Sequence, residues 1–244
     1  MDFWIVGTAE TLIHQSKNPS PPRCEPMLEE SKPPSGLAGL ILAGGASTRM
    51  GASKPIMPWG DQTFLQAVID KMKAAGVEPV VAVLGAHFGE ANEHCRSCGA
   101  APIFHREWAL GQFSSLQAGL GELSKLQSSR ELDGEKKRGV MVALVDQPHI
   151  ASHVFRKVAE TYKKFPEKLI IPTFQERRGH PYVIPHDLFS SVLAMPPSAI
   201  TRDFLGAHQS LQVLLPVADA GILFDIDTPE DLFIAMERFQ IGKH

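Results

Sequence analysis

The sequence lacks the features that would direct a chain into a membrane or onto nucleic acid. No apolar run approaches the ~18 residues that span a bilayer, and the N-terminal segment has no basic region of the kind found in signal peptides. The formal net charge is −3 in 244 residues, which gives no electrostatic reason to expect a nucleic-acid or membrane partner. We therefore expect a cytoplasmic globular protein.

Cysteine is also scarce. The chain has only Cys24, Cys95 and Cys98, and this odd number with wide spacing argues against a disulfide framework. Cys95 and Cys98 have the spacing of a metal-binding pair, but no second ligand pair lies at a matching distance. We interpret them as two reduced thiols near the end of a helix.

The chain divides into a leader and one domain. Residues 1–36 include six prolines between Pro19 and Pro34, interleaved with Ser, Glu and Lys, and contain little that could form a core. This composition is typical of a flexible leader, or of a start codon assigned too far upstream. We assign residues 37–244 to a single folded domain.

Strands and helices alternate within this domain. Apolar runs predict strands at 37–43, 80–84 and 140–145, with weaker candidates at 169–171, 182–184 and 213–215. Apolar residues recur at helical spacing in the segments between the strands at 37–43, 80–84 and 140–145. The pattern predicts an α/β fold, a single Rossmann-like domain whose mostly parallel sheet has helices on both faces. Ligands bind beyond the carboxyl ends of such strands, so chemistry is expected in the loops after Ala43 and Val145.

The C-terminal helix has a clear start signal. Thr228 is a candidate N-cap, Pro229 suits the first turn, and Asp231 stands where a capping carboxylate would. One face of this helix is predicted to pack on the core through Leu232, Ala235, Met236 and Phe239.

The loop after the first strand combines glycines with cations. Gly44 and Gly45 allow the backbone to approach a ligand closely, and Arg49 and Lys54 together suit a triphosphate. The loop is not a Walker motif, because Pro55 follows Lys54, and it does not match the dinucleotide fingerprint. Composition alone leaves open a Gly-rich turn that carries surface charges.

Five segments, taken in order, resemble the MobA-like nucleotidyltransferases, which include the molybdenum-cofactor cytidylyltransferases and guanylyltransferases. The resemblance covers residues 37–240, and the order of the motifs makes it specific. The segments are Leu42–Lys54, Trp108–Leu116, Asp146-Gln147-Pro148, Arg178-Gly179-His180-Pro181 and Asp225–Asp231.

The resemblance implies roles for individual residues. Asp146 corresponds to the family's magnesium ligand, and Asp225 and Asp227 to a second acidic pair; these two could instead only favour the positive end of the last helix. Mg²⁺ takes few protein carboxylates and completes its shell with phosphate oxygens and water. Arg49, Lys54 and Asp146 are the implied catalytic residues. Nucleotide-binding roles fall to Leu42, Ala43, Gly44, Gly45, Arg49, Lys54 and Ser115, and acceptor-binding roles to Trp108 and His180.

The implied reaction transfers a nucleoside monophosphate from an NTP to the phosphate of molybdopterin, with release of pyrophosphate. A molybdoenzyme or its insertion chaperone is a possible partner. Two departures bear on the nucleotide. His105 replaces a common Asn, and Gly44 gives the Leu-Ala-Gly-Gly form of the guanylyl branch, whereas the other segments are closer to the cytidylyl branch. We expect CTP, with GTP as the alternative. The fold class alone also leaves open a sugar- or polyol-phosphate nucleotidyltransferase and, without catalysis, a nucleotide or cofactor carrier.

Overall fold

The structure, a computed structural model, describes residues 36–131 and 139–239. The predicted leader therefore lies outside the described residues, apart from Gly36, and so does Cys24. In the part of the chain that is described, no helix is both long and apolar enough to cross a membrane.

Within these residues the chain forms ten strands and seven α-helices. The strands are β1 (Leu37–Ala43), β2 (Pro58–Trp59), β3 (Gln62–Thr63), β4 (Val80–Leu84), β5 (Ala101–Phe104), β6 (Gly139–Leu144), β7 (Leu169–Phe174), β8 (Arg177–Arg178), β9 (Tyr182–Ile184) and β10 (Gln212–Pro216). The helices are α1 (Phe64–Ala74), α2 (Phe88–Ser97), α3 (Gln112–Glu131), α4 (Ser152–Lys164), α5 (Phe189–Leu193), α6 (Thr201–Ala207) and α7 (Pro229–Arg238). Short 3-10 helices cover Lys54–Ile56, Trp108–Leu110, His186–Leu188, Gln209–Leu211 and Ala220–Leu223.

Eight strands form one sheet in the order β10-β7-β9-β6-β1-β4-β5, with β8 paired to β7. The pairs β1–β4, β1–β6, β4–β5 and β7–β10 are parallel, whereas β9 is antiparallel to both of its neighbours. The mostly parallel sheet is thus confirmed. The remaining strands, β2 and β3, form a small separate hairpin.

Side chains of β1 alternate between two cores. Leu37, Ile41 and Ala43 pack with α1, α2 and α4 on one face. Leu40 and Leu42 pack with α3, α5 and α6 on the other. Because both faces of the central strands are covered, these strands are apolar throughout, as expected for a buried parallel sheet. Helices on both faces are confirmed as well.

Strand prediction succeeded where burial is complete. β1, β4 and β9 have the predicted bounds, whereas β5 was missed. This strand lies at the edge of the sheet, is only partly buried, and contains Pro102, so its sequence shows no continuous apolar run. Proline is tolerated at sheet edges because no neighbouring strand requires its missing N–H.

The C-terminal helix begins as predicted. Thr228 accepts from the Asp231 N–H, and the Asp231 carboxylate accepts from the Thr228 N–H, which completes a capping box. The prediction for its buried face was partly wrong. Ala235 is buried and Leu232 and Phe239 pack against the core, but Met236 is exposed. α7 covers only the margin of the core, so a narrow stripe of the helix suffices.

Cys95 lies in α2 and Cys98 directly follows this helix, and both are buried. Their predicted placement near a helix end is confirmed. Among the described residues, no three His, Cys, Asp or Glu side chains are arranged as a preformed metal site.

Candidate active site

A cavity of about 340 Å³ opens at the carboxyl ends of β1 and β6. The two strands are parallel neighbours, with Leu42 beside Leu144, so the loops that follow them meet at one edge of the sheet. This is the position predicted for the chemistry. The lining comprises residues 42–49 with Lys54, Pro55, Trp108, Gly111, Gln112, Ser115, Leu144, Val145, Asp146 and Asp227.

The loop after β1 bends sharply around the cavity. Ser47 has a left-handed backbone with φ of 51°, and its carbonyl accepts from the N–H groups of Met50 and Gly51. His87, in the loop after β4, donates from Nε2 to the Ala46 carbonyl over 2.9 Å. An added Cβ at Gly45 would meet no atom within 4 Å. The loop is therefore supported from outside and open toward a ligand.

Lys54 joins the two acidic segments. Its ammonium donates to Asp146 Oδ2 over 3.0 Å and to Asp227 Oδ1 over 2.5 Å. Arg49 donates to the other Asp227 oxygen over 2.9 Å. The Lys54 side chain is only 10% exposed, whereas that of Arg49 is 70% exposed. Two cations and two carboxylates, far apart in sequence, are thus brought together at the cavity.

The surroundings of Lys54, Asp146 and Asp227 shift the pKa of each side chain. Burial alone would lower the pKa of Lys54, but Asp146 and Asp227 outweigh it, and the pKa is raised above the ordinary value. Burial raises the pKa of Asp146, and Lys54 offsets this only in part. The hydrogen bond from Lys54 lowers the pKa of Asp227. At neutral pH the lysine is charged and Asp227 is ionised.

The segment around Asp227 is anchored to the loop after β6. The Ile226 N–H donates to the Asp146 carbonyl oxygen over 3.0 Å, and the Asp227 N–H donates to the Asp231 carboxylate over 3.1 Å. Asp225 accepts from Gln147 Nε2 over 2.8 Å and does not line the cavity. The capping box is formed by Thr228 and Asp231, so Asp227 remains available to the cations of the cavity.

His149 supports the same loop from the core side. Its Nε2 donates to the Gly221 carbonyl over 3.0 Å, and its ring stacks on Phe239 with centroids 4.6 Å apart. Burial lowers the pKa of His149 to about 4, so the ring is neutral at pH 7. Sequence reasoning assigned His149 no role, because a buried histidine has no local signature.

Two carboxylates could hold a divalent cation here. Asp146 Oδ1 is buried and has no hydrogen-bond partner, and an ionised carboxylate oxygen left unpaired is costly unless a ligand completes it. Asp227 faces the same cavity. A two-carboxylate set suits Mg²⁺, which takes the rest of its shell from phosphate and water.

The lining of the cavity also has an uncharged part, formed by Trp108, Gly111, Gln112 and Ser115. Trp108 and Ser115 lie beside Gly44. Gly111 has φ of 110°, a conformation that favours glycine. Gln112 lies within a segment that carries the family resemblance, but sequence reasoning assigned it no role. His105 does not line the cavity and forms a 3.0 Å hydrogen bond with Ser114.

His180 lies outside the residues that line the cavity. It precedes β9 by two residues, and Tyr182, the first residue of β9, pairs with Val142 of β6. The rings of His180 and Tyr182 are 5.2 Å apart, and burial lowers the pKa of His180 to about 4. Its acceptor-binding role stays a prediction.

Similar proteins include two curated relatives. Nicotine blue oxidoreductase of Paenarthrobacter nicotinovorans is 27% identical over 209 residues, which cover 81% of this chain and 95% of that protein. The molybdenum cofactor cytidylyltransferase of Escherichia coli (strain K12) is 25% identical over 203 residues, covering 82% and 95%.

Among solved structures, Rv0371c of Mycobacterium tuberculosis H37Rv matches with a TM-score of 0.67 and 20% identity, covering 82% of this chain and 98% of that one. Its complex with manganese matches with a TM-score of 0.57 and 18% identity over the same shares. Residues 39–212 match the MobA-like NTP transferase domain. The chain therefore belongs to the MobA-like NTP transferase family, and its chemistry is nucleotidyl transfer.

Proposed function

We propose that this enzyme transfers CMP from CTP to the terminal phosphate of a molybdopterin-type cofactor and releases pyrophosphate. The relative from E. coli, named a molybdenum cofactor cytidylyltransferase, supports this choice of acceptor and nucleotide. The observation that carries the proposal is the cluster formed by Lys54, Asp146 and Asp227, with Arg49 at its rim, beside a Gly-rich loop.

The arrangement suits in-line displacement at the α-phosphorus. An acceptor phosphate oxygen forms a bond to this phosphorus, the bond to the bridging α–β oxygen breaks, and the electron pair leaves with pyrophosphate. The attacking oxygen is already anionic, so no protein base has to remove a proton. The chain contributes by positioning the two substrates and by placing Lys54 and Arg49 against the phosphate charge.

Asp146 and Asp227 are the residues we expect to hold a divalent cation, and the unpaired Oδ1 of Asp146 supports this. When bound, Mg²⁺ would neutralise charge on the phosphate oxygens. The manganese complex of the neighbour Rv0371c is consistent with such a site. Asp225 stays a candidate ligand, but it would first have to give up the hydrogen bond that it accepts from Gln147.

Gly44 is the residue that favours GTP, and its surroundings weaken the case for that nucleotide. A Cβ added at Gly44 would lie 3.1 Å from Ser115 Oγ and 3.6 Å from Trp108 Cβ. The missing methyl group is therefore beside side chains already in place, and little space is gained for a purine. One methyl group discriminates by only about 1–3 kcal/mol in any case. CTP remains our choice.

The relative named an oxidoreductase shows why the acceptor has to be tested directly. Purified enzyme is supplied with Mg²⁺, molybdopterin and either CTP or GTP, and pyrophosphate release is followed. We expect release only in the presence of acceptor, with a higher kcat/KM for CTP. A preference for GTP would overturn the cytidylyl assignment. Release with a sugar or polyol phosphate but not with molybdopterin would overturn the acceptor. Tight nucleotide binding without release would indicate a carrier.

A further inference from the structure

Gly85, which follows β4, is buried but does not line the cavity. Its backbone φ is not positive, so conformational freedom does not explain why a glycine is needed there. The reason is the lack of space for a side chain. A Cβ added at Gly85 would lie 2.6 Å from Trp108 Cβ and 2.7 Å from Trp108 Cγ, and closer still to the Gly44 carbonyl oxygen. Real Cβ atoms do not approach other atoms this closely, so one of these groups would have to move.

The neighbours of Gly85 have little freedom to yield. Gly44 continues directly from β1, whose residue Ala43 pairs with Leu84. Trp108 begins a 3-10 turn that is closed by the Gly111 N–H, which donates to the Trp108 carbonyl over 3.1 Å. The His105 N–H is held by the Leu84 carbonyl over 2.9 Å. The loops after β1, β4 and β5 therefore meet at a point where only a hydrogen atom fits.

The part of the cavity beside Trp108 has the chemistry of a nucleobase site. The sheet order separates it from the charged cluster: Asp146 follows β6, on one side of β1, whereas Trp108 follows β5, on the other side beyond β4. Lys54, with Asp146, Asp227 and Arg49 around it, suits the triphosphate. Trp108 and Ser115 lie beside Gly44, at the start of the loop. A nucleotide also carries its charge at one end and an uncharged aromatic ring at the other. Aromatic side chains stack on bases, and amide and hydroxyl groups read base edges.

We infer that Gly85 is a positioning residue that seats Trp108 against the phosphate loop, and that Trp108 thereby forms the wall on which the nucleobase, not the acceptor, rests. The inference rests on the proposed function only in that a nucleotide occupies this cavity. Gly85 acts through Trp108 and Gly44 and touches no substrate itself.

The test measures CTP binding in the presence of Mg²⁺ and the absence of acceptor, by equilibrium dialysis, for wild type, Gly85→Ala, Trp108→Ala and the double variant. Gly89→Ala is the matched control, since a Cβ there meets nothing within 4 Å. We expect Trp108→Ala and Gly85→Ala each to weaken CTP binding at least about fivefold, the smaller end of the effect of a lost base stack. In the Trp108→Ala background the effect of Gly85→Ala should be at least about threefold smaller, because no indole ring is left to be displaced and only the contacts with the Gly44 carbonyl and the remaining Cβ persist. The Gly89→Ala control should bind as wild type does.

Several results would overturn the inference. One is CTP affinity that is unchanged in Gly85→Ala; another is an undiminished effect of this substitution in the Trp108→Ala background. If Gly85→Ala does not fold, Trp108→Ala decides alone. If Trp108→Ala binds CTP as the wild type does but has a raised KM for the acceptor, Trp108 lies on the acceptor side and the inference is refuted. Failure of the proposed function is seen separately, as wild-type enzyme that binds CTP but releases no pyrophosphate with molybdopterin.

Discussion

Replacing Lys54 with Met should destabilise the enzyme in a way that a divalent cation reverses. In the wild type the ammonium neutralises Asp146 and Asp227 at once, at 3.0 and 2.5 Å. Without it, two partly buried carboxylates lose their shared countercharge. Removing one partner of a fully buried pair costs about 3–5 kcal/mol. Because Asp146 and Asp227 are 21% and 33% exposed, we expect about 2 kcal/mol here.

A loss of this size lowers Tm by about 4–8 °C for a domain of 150–250 residues. Mg²⁺ can then take the place of the ammonium between the carboxylates. At ten times its Kd, a ligand that binds only the folded state adds about 1.4 kcal/mol, so Mg²⁺ should restore more than half of the lost stability. In the nucleotide-free wild type the same Mg²⁺ concentration should raise Tm less, because Lys54 already occupies one oxygen of each carboxylate.

Thermal melting in chelator and in Mg²⁺ measures both effects. Lys125→Met is the control, since Lys125 forms an exposed pair with Glu122 and substitutions of this kind change stability by about 0.5 kcal/mol or less. Equal Mg²⁺-induced shifts in wild type and Lys54→Met would refute the reasoning, as would an unchanged Tm in chelator.

Three further predictions concern the site, the leader and the core. Asp146→Asn should lower kcat by ~10²-fold or more with an unchanged circular dichroism spectrum; pyrophosphate release at the wild-type rate would show that Asp146 is not the metal ligand. Deleting residues 1–34 should leave Tm and kcat unchanged, because this segment offers little apolar surface, and a Tm lower by several degrees would show that it packs on the domain. The pKa of His149 is lowered to about 4 in the folded protein. Between pH 6.5 and 4 this histidine is therefore protonated in the unfolded chain but still neutral in the folded one. Stability should therefore fall as pH drops from 6.5 to 4, by up to about 3 kcal/mol for this group. His149→Phe should flatten this dependence in urea titrations at pH 7 and 4.5, and equal slopes for both proteins would contradict it.

The parts of the fold that could be predicted are those fixed by local pattern and full burial. The seven residues of β1 are all buried, so an uninterrupted apolar run marks both ends of the strand. The start of α7 was equally clear, since Thr228, Pro229 and Asp231 act within one turn. The bounds of α2 were not predicted, because its residues are mostly polar and it buries only Ala91, His94 and Cys95.

The order of the motifs identified the charged residues as candidates, but it did not predict which of them would form ion pairs. Asp227 lies 173 residues from Lys54 in sequence, and no local pattern indicates that a lysine would bridge it to Asp146. The contacts of Gly85 were missed for a related reason. A single glycine after a strand is typical of any turn, and only the fold brings Trp108 against it.

The most direct test of the central claim is pyrophosphate release by the purified enzyme with CTP, molybdopterin and Mg²⁺, with each component omitted in turn. The proposed function predicts that release requires all three, because it assigns the triphosphate to Lys54 and Arg49, the cation to Asp146 and Asp227, and the attacking oxygen to the acceptor. One pyrophosphate should form for each acceptor consumed. Release at the same rate without acceptor, or no release with any nucleotide, would contradict the account.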